Sequence, residues 1–479
     1  MLTDISLKGA ELYYLPVSTR IPLRFGTEAV EEIECLRVKV LVENRSGSRD
    51  EGWGEVPLNV QWIWPDAIEP GERTQAMKEF AAKLTANLMA WKVEGHALDI
   101  GWLVLGDYLE NARREYNASR EGFPPLPSRA AVAVFSAFDI AIHDAYGRVN
   151  GVPTYAAYQG EFFNHSLSHY LASPNIDSSR FEGLYPTDFF RIEPRRSLKV
   201  WHLVGGDDPL TEDDLNEKSP EDGYPVLLGD WIRRDGLNCL KVKLFGESLE
   251  EDLSRITEVG RIALSERVSW LSVDFNCTVG DPEYMLEFLD RLRRDFPQIY
   301  AMLLFVEQPF PASSVESEMN VAEASTLKPL FLDEALTDWD IIPQAKRLGW
   351  SGAALKTCKT QTAAVLSGCV ARMYGMALMV MDLTNPMIAA LAHASLAAHT
   401  PTLMGFESNA PQYYPAASLP EEGIHPGIFR RRRGEVDVAT LSGSGMGYRI
   451  PEIGRELPEP ELVCGAGVHS VRPERGAVR

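Results

Sequence analysis

The chain has 479 residues, enough for two or three domains or for one large barrel with additions. Hydrophobic residues make up 45% and charged ones 24%, the balance of a soluble globular protein. A net charge of −21 argues against a nucleic-acid backbone as partner, while leaving room for a small anionic substrate held by a local cation.

The N-terminus, MLTDISLKGAELYYLPVSTR, lacks the basic-then-apolar layout of a signal peptide. No apolar run approaches the ~20 residues of a membrane span, so the expectation is a cytoplasmic protein without membrane contact. Over residues 4–57, ISLKGAELYYLPV and CLRVKVLVEN alternate apolar and polar, and DEGWGEVP adds a turn and a short strand. Residues 70–118 read as helical, and SRAAVAVFSAFDIAIHDAYG (128–147) as a buried helix ending in glycine. Strands followed by helices predict an α+β module over residues 1–150.

Residues 160–196 and 206–225 are polar, turn-rich and aperiodic, and read as insertions over the core. From residue 197 the pattern becomes regular, with apolar strand-like runs at 197–204, 238–244, 270–276, 303–309, 329–335, 352–357, 376–382 and 402–408. Helical stretches separate them. Near-continuous apolar strands alternating with helices predict a parallel sheet covered on its outer face. From the second run on, each closes on a charged residue: Lys243, Asp274, Glu307, Asp333, Lys356, Asp382 and Glu407. One βα unit per interval, with charge at the strand ends, predicts an α/β fold: a (β/α) TIM-type barrel over 151–410 with the N-terminal module as a cap. An open Rossmann-type sheet is disfavoured because no GxGxxG follows any strand. The segment 411–479 is expected to return to the cap. Six cysteines without CxxC pairing suggest neither a disulfide framework nor a zinc site.

Asp274, Glu307 and Asp333 end three consecutive strands, so a barrel gathers them at its rim. Three close carboxylates stay ionised only beside a cation, and an all-oxygen set favours Mg²⁺ or Mn²⁺. Glu334 should point away from Asp333 by strand alternation, and Asn276 shares a face with Asp274 and supports it. In LKVKL, Lys241 and Lys243 share a face of an interior strand. Burial and mutual repulsion are expected to lower their basicity, with Lys241 depressing Lys243.

The ordered set Lys241-x-Lys243, VDFN, FVEQP, LDEA and LKTCKT, on five successive strands, resembles the enolase superfamily, specifically the mandelate racemase and muconate lactonizing enzyme group. GWGE at 52–55 and FDIAIHDAYG in the N-terminal module extend the likeness. Lys356, with no histidine at the place of the mandelate racemase branch, makes the pattern closest to the muconate lactonizing, two-lysine branch. The resemblance implies a Mg²⁺-dependent enzyme that takes the α-proton from a small carboxylate substrate to form an enolate, as racemase, epimerase or cycloisomerase. An acid-sugar dehydratase and a non-catalytic metal-binding barrel are the alternatives. It further implies Asp274, Glu307 and Asp333 as metal ligands and Lys241, Lys243, Lys356 and Glu407 as catalytic groups. Asp382 is a further candidate beside the substrate, and Lys359 is given a structural role. Cap loops carrying Arg24, Phe25, Trp62 and Trp64 would shape specificity over the mouth, and a homo-oligomer is expected.

Overall fold

The computed structural model describes residues 1–25, 28–120, 122–217, 219–465 and 468–471. The alternating N-terminal segments form a long antiparallel hairpin, β1 (Ile5–Phe25) and β2 (Glu28–Asn44), followed by β3 (Arg49–Pro57). A two-residue β4 (Glu94–Gly95) pairs with β1. Helix Ser128–Val149 lies across this sheet.

GWGE explains how close that approach is. A Cβ on Gly52 would stand 2.2 Å from the backbone nitrogen of Ala145, and one on Gly54 would stand 2.1 Å from the carbonyl oxygen of Ala137. Only glycine lets β3 and the helix meet there. Polar residues of FDIAIHDAYG then fix the helix to the rest of the chain. Asp139 accepts from the backbone N–H and the hydroxyl of Thr362, both at 2.8 Å. Asp144 accepts from the backbone N–H of Trp53 at 3.0 Å and of Met446 at 2.7 Å.

Eight parallel strands follow: β5 (Ser197–Val204), β6 (Cys239–Lys243), β7 (Trp270–Asp274), β8 (Leu303–Glu307), β9 (Leu330–Leu332), β10 (Gly352–Leu355), β11 (Ala377–Val380) and β12 (Phe406–Glu407). They pair in the order β11-β10-β9-β8-β7-β6-β5-β12, a nearly closed barrel. Its last gap is crossed by the Leu403 N–H donating to the Leu378 carbonyl at 2.8 Å. The expected barrel with its N-terminal cap is the observed architecture.

Period-two alternation decides what enters the barrel. Cys239, Phe305, Phe331 and Met379 form, with Trp201, an apolar plug inside it, and ring centroids of Phe305 and Phe331 lie 4.7 Å apart. On β6, Leu240 and Val242 face the opposite way, into the core shared with the helices, so Lys241 and Lys243 rise above the plug.

β13 (Glu435–Asp437) runs antiparallel to β5. β14 (Leu462–Gly465) pairs with β1, and β15 (Val468–Val471) with β14, so the C-terminal chain joins the cap sheet. Residues 160–196 fold as turns and short helices that bury Phe163, Leu167, Tyr170, Phe181 and Phe190 in the barrel-side core. Among the described residues, no helix is long and apolar enough to cross a membrane. Five of the six cysteines are buried and Cys277 is half-buried.

Candidate active site

Strand register sets the first layer of the site. Lys243 on β6 is level with Asp274 on β7, and Asp274 with Glu307 on β8. Asp333 and Lys356 follow directly on the ends of β9 and β10. Lys241, Lys243, Asp274, Glu307, Asp333 and Lys356 are all buried.

The lysines are not bare cations. The Lys241 ammonium lies 3.0 Å from Asp274, 2.8 Å from Glu307 and 3.1 Å from Glu407. Lys243 Nζ donates to Asp274 Oδ2 at 2.5 Å and to Asn276 Oδ1 at 2.7 Å. Lys356 pairs with Asp333 Oδ2 at 2.7 Å. Lys359 donates to the Asp333 carbonyl at 2.5 Å and lies 3.2 Å from Asp333 Oδ1.

For Lys241 this reverses the expectation that burial and like charge lower its basicity. Burial does push Lys241 down, but Asp274, Glu307 and Glu407 together carry it well above its ordinary value. Lys356 behaves in the same way, with Asp333 opposing its burial and raising it. The supposed repulsion between Lys241 and Lys243 is bridged by Asp274, whose carboxyl is held below its usual range against its own burial by both lysines.

Glu307 shows the opposite balance. Burial, only partly offset by Lys241, and the nearby Asp274, Asp333 and Glu407 push its carboxyl up to about 8. Its Oε2 has no hydrogen-bond partner. An all-oxygen set with an orphaned buried carboxylate oxygen and crowded negative charge fits a hard divalent cation such as Mg²⁺ in its donor chemistry. As the side chains stand, Lys241 lies among the carboxylates. Among the described residues, no three His, Cys, Asp or Glu side chains are grouped closely enough to hold a metal.

The remaining expected residues divide. Asn276 supports Asp274 through its backbone N–H at 2.9 Å and also donates to Glu334 Oε1 at 3.0 Å. Glu334 is turned to the cap, where it accepts from Trp62 Nε1 at 2.9 Å. The Trp62 ring carries Lys356 at 4.4 Å and Arg129 at 5.2 Å, so this side chain roofs the site. Trp64 lies instead in the cap core, its carbonyl accepting from Arg73 at 2.6 Å. Arg24 turns outward and is about half exposed, with Asp207 at 2.8 Å. The Phe25 side chain falls outside the described residues. Glu407 accepts from Asn409 Nδ2 at 2.8 Å and from the Asp382 backbone N–H at 3.0 Å. Asp382 accepts from Asn385 Nδ2 at 2.6 Å and from the Asn409 backbone N–H at 2.7 Å, so it buttresses the strand ends. His393 lies behind β12 on the Glu407 carbonyl at 2.7 Å, and His399 stacks on Tyr155 at 3.8 Å.

A small cavity, about 30 Å³, opens between Lys241, Lys243, Lys356 and Glu407, and is roofed by Leu23, Asn59 and Trp62. Leu23 and Asn59 were not singled out by sequence reasoning. Neither has a distinguishing pattern, and only the hairpin's reach over the barrel puts them there. Gln308 was also missed, although it follows Glu307 directly. Its Oε1 accepts from the backbone N–H of Asp333 at 2.8 Å and of Ala335 at 3.1 Å, which holds the Asp333 turn in place. Asn276 and Gln308 both have positive φ, 45° and 31°, at adjacent strand ends. Non-glycine backbone of this kind gathers at sites where side chains must be aimed.

Residues 227–453 match the family model described as Enolase C-terminal domain-like, so the barrel part of the chain carries that family's sequence pattern. No curated protein matches the chain. Among solved structures, it is similar to a dipeptide epimerase from Cytophaga hutchinsonii complexed with Mg and the dipeptide D-Ala-L-Val. That match has a TM-score of 0.60 and 18% identity, covering 92% of this chain and 95% of the other. An N-succinyl Arg/Lys racemase from Bacillus cereus matches with a TM-score of 0.59 and 16% identity, over 94% and 97%. A muconate lactonizing enzyme from Pseudomonas fluorescens complexed with muconolactone matches with a TM-score of 0.56 and 15% identity, over 95% and 97%. At such identities these likenesses establish the shared fold.

Proposed function

We propose that the chain is an enolase-superfamily enzyme of the two-lysine branch that racemises or epimerises a small carboxylate substrate by moving its α-proton. The observation that supports this most is the placing of two buried lysines, Lys243 on β6 and Lys356 after β10, on one cavity with three strands between them. Groups on opposite sides of one carbon suit 1,1-proton transfer, in which one face loses the proton and the other regains it.

Asp274, Glu307 and Asp333 would hold Mg²⁺, which when bound would supply positive charge to a substrate carboxylate and compete with the lysines for these three side chains. Lys243 and Lys356 then serve as the acid/base pair at the α-carbon. Lys241, buried among Asp274, Glu307 and Glu407, keeps its proton and supplies fixed positive charge. Glu407, held by Asn409, orients Lys241. Trp62 covers the mouth and excludes water from Lys356.

Magnesium-loaded protein incubated in D₂O with dipeptides, N-acyl amino acids and sugar acids tests this reading. Exchange of the α-hydrogen with loss of chirality is the expected result, and Lys243→Ala should abolish the loss of chirality together with exchange from the face that Lys243 serves. Metal binding without exchange of any substrate would instead favour the non-catalytic barrel.

A further inference from the structure

The bulk acidity of the chain conceals a run of four arginines, Arg430–Arg433, in FRRRRGE. Three of them line a cavity of about 410 Å³ on the flank of the barrel, where Arg234 comes from the helix Leu228–Asp235. This cavity shares no lining residue with the one at the barrel mouth. Its volume is within the range of small-molecule sites.

The four arginines face only two carboxylates of the lining, Asp235 and Glu422. Arg430 pairs with Glu422. Arg431 pairs with Asp235 at 2.8 Å and donates through Nη1 to His202 Nδ1 at 3.0 Å. His202 is held neutral by burial and by that guanidinium, so it accepts without adding charge. Arg432 has no ion pair among the described residues, and Arg234 comes no nearer than 3.8 Å to Asp235. An excess of positive charge therefore lines the cavity of a chain with net charge −21.

Two further features indicate a built site. Arg431 is buried, and its Nη2 has no hydrogen-bond partner, a costly state for a guanidinium nitrogen. The wall is aromatic: the buried Trp231 carries Arg234 at 5.3 Å and Arg431 at 5.2 Å, and Arg234 also stacks on the half-buried Tyr224 at 4.8 Å, so the rings orient the cations. Arginine forks match phosphate oxygens, and a phosphate monoester carries close to the two negative charges that the excess calls for.

We propose that this cavity binds a small phosphate monoester with an aromatic or other flat unsaturated body, its phosphate on Arg432 and Arg430 and its ring beside the half-buried Tyr224 and the flat guanidinium of Arg234. The inference is independent of the chemistry assigned to the barrel mouth.

Calorimetric titration of the full chain with phenyl phosphate tests it. One saturable site is expected, weakened about tenfold or more by Arg430→Ala with Arg432→Ala, both at exposed positions, and unchanged by Lys243→Ala at the mouth. Should the double variant fail to fold, Arg234→Ala is expected to weaken binding in the same direction. Inorganic phosphate, lacking the ring, should bind more weakly, and so should the dicarboxylate phthalate. The proposal is overturned by no saturable binding up to about 10 mM, by unchanged affinity in the arginine variants, by loss of binding in Lys243→Ala, or by phthalate binding as tightly as phenyl phosphate.

Discussion

Lys241 and Lys243 share one carboxylate oxygen: Oδ2 of Asp274 lies 3.0 Å from the first ammonium and 2.5 Å from the second. Two cations on one face of an interior strand are thus joined through the residue level with Lys243 on the next strand. Replacing Asp274 by Asn should leave both lysines short of negative charge in a buried site, at a cost of roughly 3–5 kcal/mol. Denaturant unfolding of the metal-free protein measures it, and a loss below about 1 kcal/mol would show that Glu307 and Glu407 neutralise the pair by themselves.

The two proton-transfer groups should separate by face. Lys243→Ala and Lys356→Ala should each lower turnover by about a hundredfold or more, the scale of a lost acid/base group. If they serve opposite faces, each variant should still exchange the α-hydrogen of one substrate epimer in D₂O. Equal loss with both epimers in both variants would refute a two-base mechanism.

Asp333 binds Lys356 at 2.7 Å and Lys359 at 3.2 Å. Asp333→Asn should therefore weaken Mg²⁺ binding in calorimetric titration and also destabilise the metal-free fold by about 3 kcal/mol. A normal magnesium isotherm in this variant would remove Asp333 from the metal set.

The contact between cap and barrel should be pH-sensitive. Burial pushes the Asp139 carboxyl from an ordinary 3.8 to about 7, against the hydrogen bonds from Thr362. A folded-state value above the unfolded one means the folded chain holds that proton more tightly. Its contribution to stability is complete below the unfolded value and declines as pH rises from 3.8 to about 7. In Asp139→Asn the stability–pH curve should be flatter across that window. An unchanged slope would show that Asp139 ionises normally.

Gly54→Ala places a methyl group 2.1 Å from the Ala137 carbonyl oxygen, and the nearest atoms it meets are all backbone. Overpacking of this kind should cost about 1–3 kcal/mol or more, read as a lower denaturation midpoint with cap and barrel unfolding together.

Period-two alternation was enough to put Lys241 and Lys243 on one face, and the spacing of charged strand ends was enough to reveal a barrel with Asp274, Glu307 and Asp333 on neighbouring strands. These are local properties, because strand geometry fixes which face a side chain takes whatever lies opposite. Partners across the barrel are not local. Burial and like charge predicted a weakly basic pair, whereas the fold surrounds Lys241 with three carboxylates from three other strands and raises it. Trp62 and Trp64, two residues apart in one loop, were equivalent as sequence, yet one roofs Lys356 and the other fills the cap core. Arg24 looked suited to the mouth but turns to Asp207, while Leu23 beside it covers the lysines. In each case the outcome depends on charges and surfaces brought together from segments far apart in the chain. Electrostatic and packing energies follow those distances, and only the tertiary structure sets them.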